Sequence, residues 1–295
     1  MIDKANVVTE KKLAEMERHL AGVYDRAQKD IQRKSDAYFE QFRKADERKR
    51  ELVESGKMSA DDYEAWRKNK MMYGKRFTAM KQQIAAEYAN VNETALAYIN
   101  GELPDIYALN YNALADDVEG VGGYSFTLTD ANTVKHLATT DNSLLPYKQL
   151  DKAKDIAWST KKINAEVLQG IIQGESVRDI SKRLLTVTTM EKNAAIRNAR
   201  TMVTGAQNKG RLDSYARAEA DGIILQKEWL SSNDGRTRHA HLPGSFGSLI
   251  VDIDKPFSND IGLIMYPGDP GAHPANVYNC RCTMVANVKG FRKVN

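Results

Sequence analysis

The residues best suited to chemistry lie close together near the C-terminus. Between Trp229 and Thr283 fall three of the five histidines (His239, His241, His273), both cysteines (Cys280, Cys282) and five of the seven prolines. Imidazole nitrogens and thiolates are the ligands zinc favours, and four of them in a tetrahedral set close a structural site. If the segment around His239 is extended, His239 and His241 share one face, and Cys280 and Cys282 share one face of a last strand. A hairpin-like apposition then gathers two nitrogens and two sulfurs, with His273 as a substitute ligand. A C-x-C spacing is less specific than the C-x-x-C of zinc knuckles. The competing reading makes Cys280 and Cys282 small buried residues that close a sheet, with His239 exposed. A disulfide between them is not expected, because side chains two apart on a strand stand about 7 Å apart.

A second chemistry is conceivable in the same stretch. His241 with Asp234, Arg236 and Arg238 has the groups of an acid/base and phosphate-holding set, as a nuclease needs. The plainer reading, which we prefer, is that Asp234, Arg236, Thr237 and Arg238 pin a loop through hydrogen bonds and an ion pair. No paired carboxylates lie nearby at a metal-binding spacing, and no glycine-rich phosphate loop or Ser-His-Asp pattern accompanies them. Upstream, Lys192, Arg197, Arg200, Lys209, Arg211 and Arg217 lie along one helix but scatter over more than one face. They read as a solvated surface, with a DNA-facing patch as the alternative. Tyr63, Trp66 and Trp158 read as core residues.

The elements that must position these groups follow from periodicity. No proline occurs before Pro104. From Val8 to about Ser55, Leu13, Met16, Leu20, Val23, Ala27, Ile31, Tyr38 and Phe42 form one helical stripe among charges. Gly56 suits the end of that helix, and Ser59 suits the start of the next. Further helices are expected over about 60–70, 71–101 (ending before Pro104), 104–116, 130–139 and 150–174. A compact helix beginning at Ser176 and another over about 189–221 complete the set. Residues 117–129 read as a loop with a short strand, YSFTL. After Gly222 the period changes: IILQKEWL, SLIVDI, GLIMY and CRCTMVANV are short and apolar, with turn residues between them. The fold class is therefore α+β. A mostly helical N-terminal body with long amphipathic helices, residues 1–149, precedes a small antiparallel-sheet C-terminal module, residues 150–295.

Composition is that of an ordinary globular chain, 42% hydrophobic and 28% charged. Net charge is +4, from 43 basic and 39 acidic residues, which permits contact with nucleic acid without arguing for it. No run is long and apolar enough to cross a bilayer, and the first residues carry no apolar signal segment, so synthesis in a cytosol is expected.

The ordered pattern ARTMVTGAQNKGR, GIILQKEWLSSNDGRTRHAHLPGS, KPF and IMYPGDPGAHPANVYNCRCT resembles the phage minor head protein family, the Mu F-like or head morphogenesis group of tailed bacteriophages. The resemblance covers about 190–285. The family motif falls on Trp229, Asp234, Arg236, Thr237, Arg238, His241, Asn279, Cys280, Arg281 and Cys282, together with Gly244, Pro256, Phe257, Pro267 and Gly268. His239 and His273 fall outside it, which leaves His241, Cys280 and Cys282 as the candidate zinc ligands. The resemblance implies a non-enzymatic virion protein, present in few copies, that associates with the portal and acts in procapsid and head assembly and in DNA handling at packaging or ejection. Its expected partners are the portal protein, other capsid or scaffolding proteins and, non-specifically, double-stranded DNA, with no membrane involved during assembly. Its expected place is the capsid interior near the portal, after assembly in the host cytoplasm. The rival readings are a metal-dependent nuclease or phosphodiesterase, and a non-specific DNA-binding module. Some members of the family carry a toxin domain after this module, and none is expected before Asn295.

Overall fold

The structure, a computed structural model, describes residues 3–119, 128–141, 143–242, 244–245 and 249–292. Helices come first and a small antiparallel sheet last, as the α+β reading requires. The helices are α1 (Lys4–Glu54), α2 (Ala60–Tyr73), α3 (Lys75–Tyr111), α4 (Ala113–Glu119), α5 (Ala131–Thr140), α6 (Lys152–Ile172) and α7 (Val177–Ala220). Strands β1 (Ile223–Leu230), β2 (Ile250–Asp252), β3 (Phe257–Asn259) and β4 (Gly262–Ile264) precede a short helix, α8 (Pro274–Val277), and the last strand, β5 (Thr283–Phe291). Residues 120–127, which include most of the YSFTL segment, lie outside the described residues.

Local signals act as expected at several ends. Ser59 accepts the Asp62 N–H at 3.0 Å and so caps α2. Gly56 follows α1 with φ +70°, the conformation in which glycine has no side chain to clash. Two expected breaks do not occur. Helix α3 runs on through Gly101 and Pro104, although an interior proline costs about 3 kcal/mol. Leu103, Ile106 and Tyr107 around it are buried, and burial of one such side chain stabilises by about 1.5–3 kcal/mol, so packing outweighs the proline. Helix α7 is likewise continuous where two helices were expected. Its β-branched run includes the buried pair Val187 and Thr188 and is carried by its contacts.

The chain packs as two compact units. One comprises residues 1–18, 97–148 and 196–295, the other 19–96 and 149–195. This differs from the expected division at 149/150, because α1, α3 and α7 each contribute residues to both units. An apolar stripe marks which face of a long helix is buried but not where along it the partners change. The second unit is all helix. Ile31 and Phe39 of α1, Met71 of α2, Phe77 and Ile84 of α3, and residues of α6 and α7 share one core. The stripe of α1 departs from the expected one at two places, where Tyr24 and Phe39 are buried instead of Val23 and Tyr38. Trp158, expected in a core, stands 38% exposed.

The first unit contains the sheet. β1 lies between β2 and β5 and is antiparallel to both, while β3 and β4 form a separate pair. Alternation along β1 sends Ile223, Leu225, Lys227 and Trp229 to the buried face, against Tyr215 and Ala218 of α7, Leu114 and Val118 of α4, and Met284 of β5. Lys227 thus stands inside an apolar layer. Its Nζ donates to the Met265 carbonyl at 2.8 Å and lies 5.1 Å from the centre of the Phe257 ring. Burial pushes its pKa down to about 8, against an opposing pull from Asp254 and Asp269. The unfolded chain therefore holds the extra proton between about pH 8 and 10.5, and stability rises with pH across that window. From pH 7.5 to 9.5 the wild type is expected to gain about 2 kcal/mol in urea unfolding relative to Lys227→Met. Parallel pH profiles for the two proteins would exclude a desolvated Lys227.

Candidate functional site

The chain reaches the site twice, once after β1 and once before β5, and α7 holds the second approach in place. Thr201, Thr204, Asn208 and Arg211 recur at three- and four-residue spacing, which puts them on one face of α7. Thr201 Oγ1 accepts the Asn279 N–H at 2.9 Å, and Thr204 Oγ1 donates to the Cys280 carbonyl at 2.7 Å. Asn208 donates to the Cys282 carbonyl at 3.3 Å and accepts the Met284 N–H at 3.0 Å. Arg211, 2% exposed, donates to Met284 O, to Asn110 of α3 and to Asp3 near the N-terminus, at 2.8, 3.0 and 2.8 Å. These polar residues are buried yet bonded, as burial demands.

The first approach is a loop braced by Asp234. Its Oδ1 accepts the Arg236 N–H at 3.0 Å and the Thr237 hydroxyl at 3.2 Å, and its Oδ2 pairs with Arg281. The hydrogen bond from the Arg236 N–H, with the Arg281 charge, holds the Asp234 carboxyl below the usual carboxylate range. Arg238 donates to the Tyr278 carbonyl, a second tie between the two approaches. A single 3-10 turn, His239–His241, then carries His241 inward, where its ring meets the Trp229 indole edge-on with centres 5.3 Å apart. Trp229 makes a similar contact with Phe257 at 5.3 Å.

Inside these braces His241, Cys280 and Cys282 converge. All three are buried, and one ligand atom from each lies within 4.8 Å of the others. His241 Nδ1 is 3.6 Å from each sulfur. The opposite ring nitrogen, Nε2, is 3.2 Å from Asn276 Oδ1. The neighbouring amides fix which atom does what. Asn259 Oδ1 accepts the Ile261 and Gly262 N–H groups, so it must be oxygen. Asn276 Nδ2 donates to it, which turns Asn276 Oδ1 toward both Asn259 Nδ2 and His241 Nε2. Nε2 therefore carries a proton, and in the neutral ring the lone pair sits on Nδ1, facing the sulfurs. The thiols are free rather than disulfide-bonded. The hydrogen bond between them splits their acidities, pushing Cys282 down and Cys280, fully buried beside it, up. Outside them lies a small cavity lined by Arg200, Arg236, Arg238, Arg281, Asp234 and Asn279.

Residues 161–285 match the family of phage Mu protein F like proteins. This stretch is similar to the phage Mu protein F like family. It begins earlier than the resemblance read from the sequence, which covered about 190–285. A curated relative, the NAD(+)-arginine ADP-ribosyltransferase EFV of Enterococcus faecalis (strain ATCC 700802 / V583), is 28% identical over 144 residues. Those residues are 49% of this chain and 28% of the relative, so the chain spans about a quarter of that relative's length. No solved structure matches the chain.

These motif residues differ in role. Trp229 is core, Arg236 and Thr237 brace the first approach through Asp234, and Asp234, Arg238 and Arg281 tie the two approaches to each other. Asn279 adopts φ +58°, a turn conformation asparagine tolerates, which starts the chain toward Cys280. His239 and His273 do not join the cluster. The segment at His239 is a 3-10 turn, not extended, so residues two apart point in different directions, and His239 is exposed. His273 Nδ1 accepts the Ala275 N–H at 3.2 Å and caps α8. The cysteines precede β5 and do not lie on it. Along α7, Lys192, Arg200, Lys209 and Arg217 face Asp25, Glu17, Asp213 and Asp221, while Arg211 is buried and not solvated. Asn259, Asn276 and the polar face of α7 were not anticipated. The repeated spacing of Thr201, Thr204, Asn208 and Arg211 was the available signal.

Proposed function

We propose that the protein is a minor head protein of a tailed phage that docks at the portal and acts in procapsid and head assembly. The Mu F-like segment at 161–285 supports this reading. Within it, Asp234, Arg238 and Arg281 serve as braces between two stretches of chain, which supports a structural role for these residues. Other capsid or scaffolding proteins are further partners, the capsid interior near the portal is the place of action, and double-stranded DNA is met non-specifically at packaging or ejection. No described helix is long and apolar enough to cross a membrane.

Purified protein is expected to co-sediment with assembled portal when both are at micromolar concentration. Protein that stays in the supernatant would remove portal docking from this reading. Binding to DNA is expected to weaken steeply with salt and to leave plasmid intact. Metal-dependent nicking that His241→Ala abolishes would replace the structural reading with a nuclease.

A further inference from the structure

We propose that His241 Nδ1, Cys280 Sγ and Cys282 Sγ bind one zinc ion, with the fourth position open to a water molecule in the arginine-lined cavity. The first support is metric. With Zn–S near 2.3 Å and Zn–N near 2.0–2.1 Å at tetrahedral angles, the nitrogen and each sulfur stand about 3.6 Å apart. Both N···S separations in this structure are 3.6 Å. One lone pair on Nδ1 can accept a single thiol hydrogen well, so equal distances to two sulfurs are what a shared central ion gives and a hydrogen bond does not.

The second support is orientation. A zinc-bound imidazole characteristically donates its other N–H to a neighbouring acceptor, which fixes the tautomer. Here Asn276 Oδ1 is that acceptor, and Asn259 fixes Asn276 in turn. The third is the sulfur environment. The Cys282 N–H donates to Cys280 Sγ at 3.4 Å, and a Ser232 backbone hydrogen bond reaches Cys282, as amides support metal-bound thiolates. Two thiolates neutralise the dication, so the filled site carries no net charge into a buried position. The same residues satisfy the reading of the cysteines as core, since both belong to the cluster around Trp229 and Met284.

Zinc would tie the loop after β1 to the turn before β5 at the point where Asp234–Arg281 and Arg238–Tyr278 already join them. The open fourth position distinguishes this site from a closed four-ligand structural centre. The four arginines around the cavity favour a neutral or anionic occupant there over a second cation.

The test uses the full chain, untagged and purified without chelator. Mass spectrometry of the metal content is expected to give about one zinc per chain after gel filtration. Zinc-edge X-ray absorption is expected to show two sulfurs near 2.3 Å and two nitrogen or oxygen neighbours near 2.0–2.1 Å. Cobalt(II) exchanged into the site is expected to show thiolate charge-transfer absorption, lost in Cys282→Ser and kept in His239→Ala and His273→Ala. Because Cys282→Ser alone can misfold, the wild-type measurements decide the matter. Two freely reactive thiols with no zinc uptake on titration, a Cys280–Cys282 disulfide, or a coordination shell of oxygen and nitrogen only would each overturn the proposal.

Discussion

Arg211→Met is expected to destabilise the protein by about 3 kcal/mol, the low end of the range for breaking one side of a buried ion pair, because the Asp3 side of the pair is 26% exposed. Arg211 is 2% exposed and bonds to three stretches of chain far apart in sequence: Asp3, Asn110 and Met284. Removing it leaves the Met284 carbonyl, the Asn110 amide oxygen and the Asp3 carboxylate short of donors at once. Asp3 reports the same pair from the other side. Burial pulls its carboxyl up, but the hydrogen bond and charge of Arg211 more than offset that, and its pKa lies below the usual value of 3.8. A carboxylate with a lowered folded pKa stabilises the fold above its unfolded pKa and loses that contribution as pH falls through the folded one. Urea unfolding of wild type and Arg211→Met, followed by circular dichroism between pH 3 and 7, checks both statements. A loss under about 1 kcal/mol would mean that the guanidinium is solvated.

Gly268→Ala is expected to cost a comparable amount. Gly268 has φ +84°, a region in which an L side chain costs about 1–2 kcal/mol. A Cβ added there would stand 2.5 Å from Gly205 N, 2.8 Å from Gly205 Cα and 2.9 Å from Thr204 C. All three are backbone atoms of α7, so no side chain can rotate away, and overpacking adds about 1–3 kcal/mol. The sum is about 2–5 kcal/mol. Gly262→Ala is the control: φ is +140° but nothing lies within 4 Å, so only the conformational cost applies. Comparable losses in soluble yield and in urea midpoint for the two variants would deny the close approach of the 268 turn to α7. This contact gives the Pro267-Gly268 pair of the Mu F-like motif a physical reason: the turn lies against bare helix backbone.

Periodicity made most elements legible. The stripe from Leu13 to Phe42 placed α1, and the change of period after Gly222 placed the sheet. Pro104 misled, because a local breaking preference of a few kcal/mol yields to buried neighbours that a linear pattern does not reveal, and the pattern did not show that the two helices expected from Ser176 to 221 are one. Within the site, the spacing of Asp234, Arg236 and Thr237 was readable as a pinned loop, since Asx turns form between residues two and three apart. The His239–His241 pairing was not, because its geometry assumed an extended segment where a 3-10 turn formed. Asn259 and Asn276 carried no signal at all. They lie 17 residues apart, and only the fold lets one amide orient the next and so aim His241.

The interleaving of the two units sets an order of events during synthesis. Residues 19–195 contain the whole second unit, and they leave the ribosome before β1 exists. The segment 3–18 must then wait, with its partners Arg200, Gln207 and Arg211 on α7 still to be made. Closing that unit means joining Asp3 to Arg211 across 208 residues, a pairing of high sequence separation that forms late and slowly. The helical unit is thus the part free to fold early on the nascent chain, and the Mu F-like end is the part exposed longest to misassembly, with unpaired strand edges until β5 emerges.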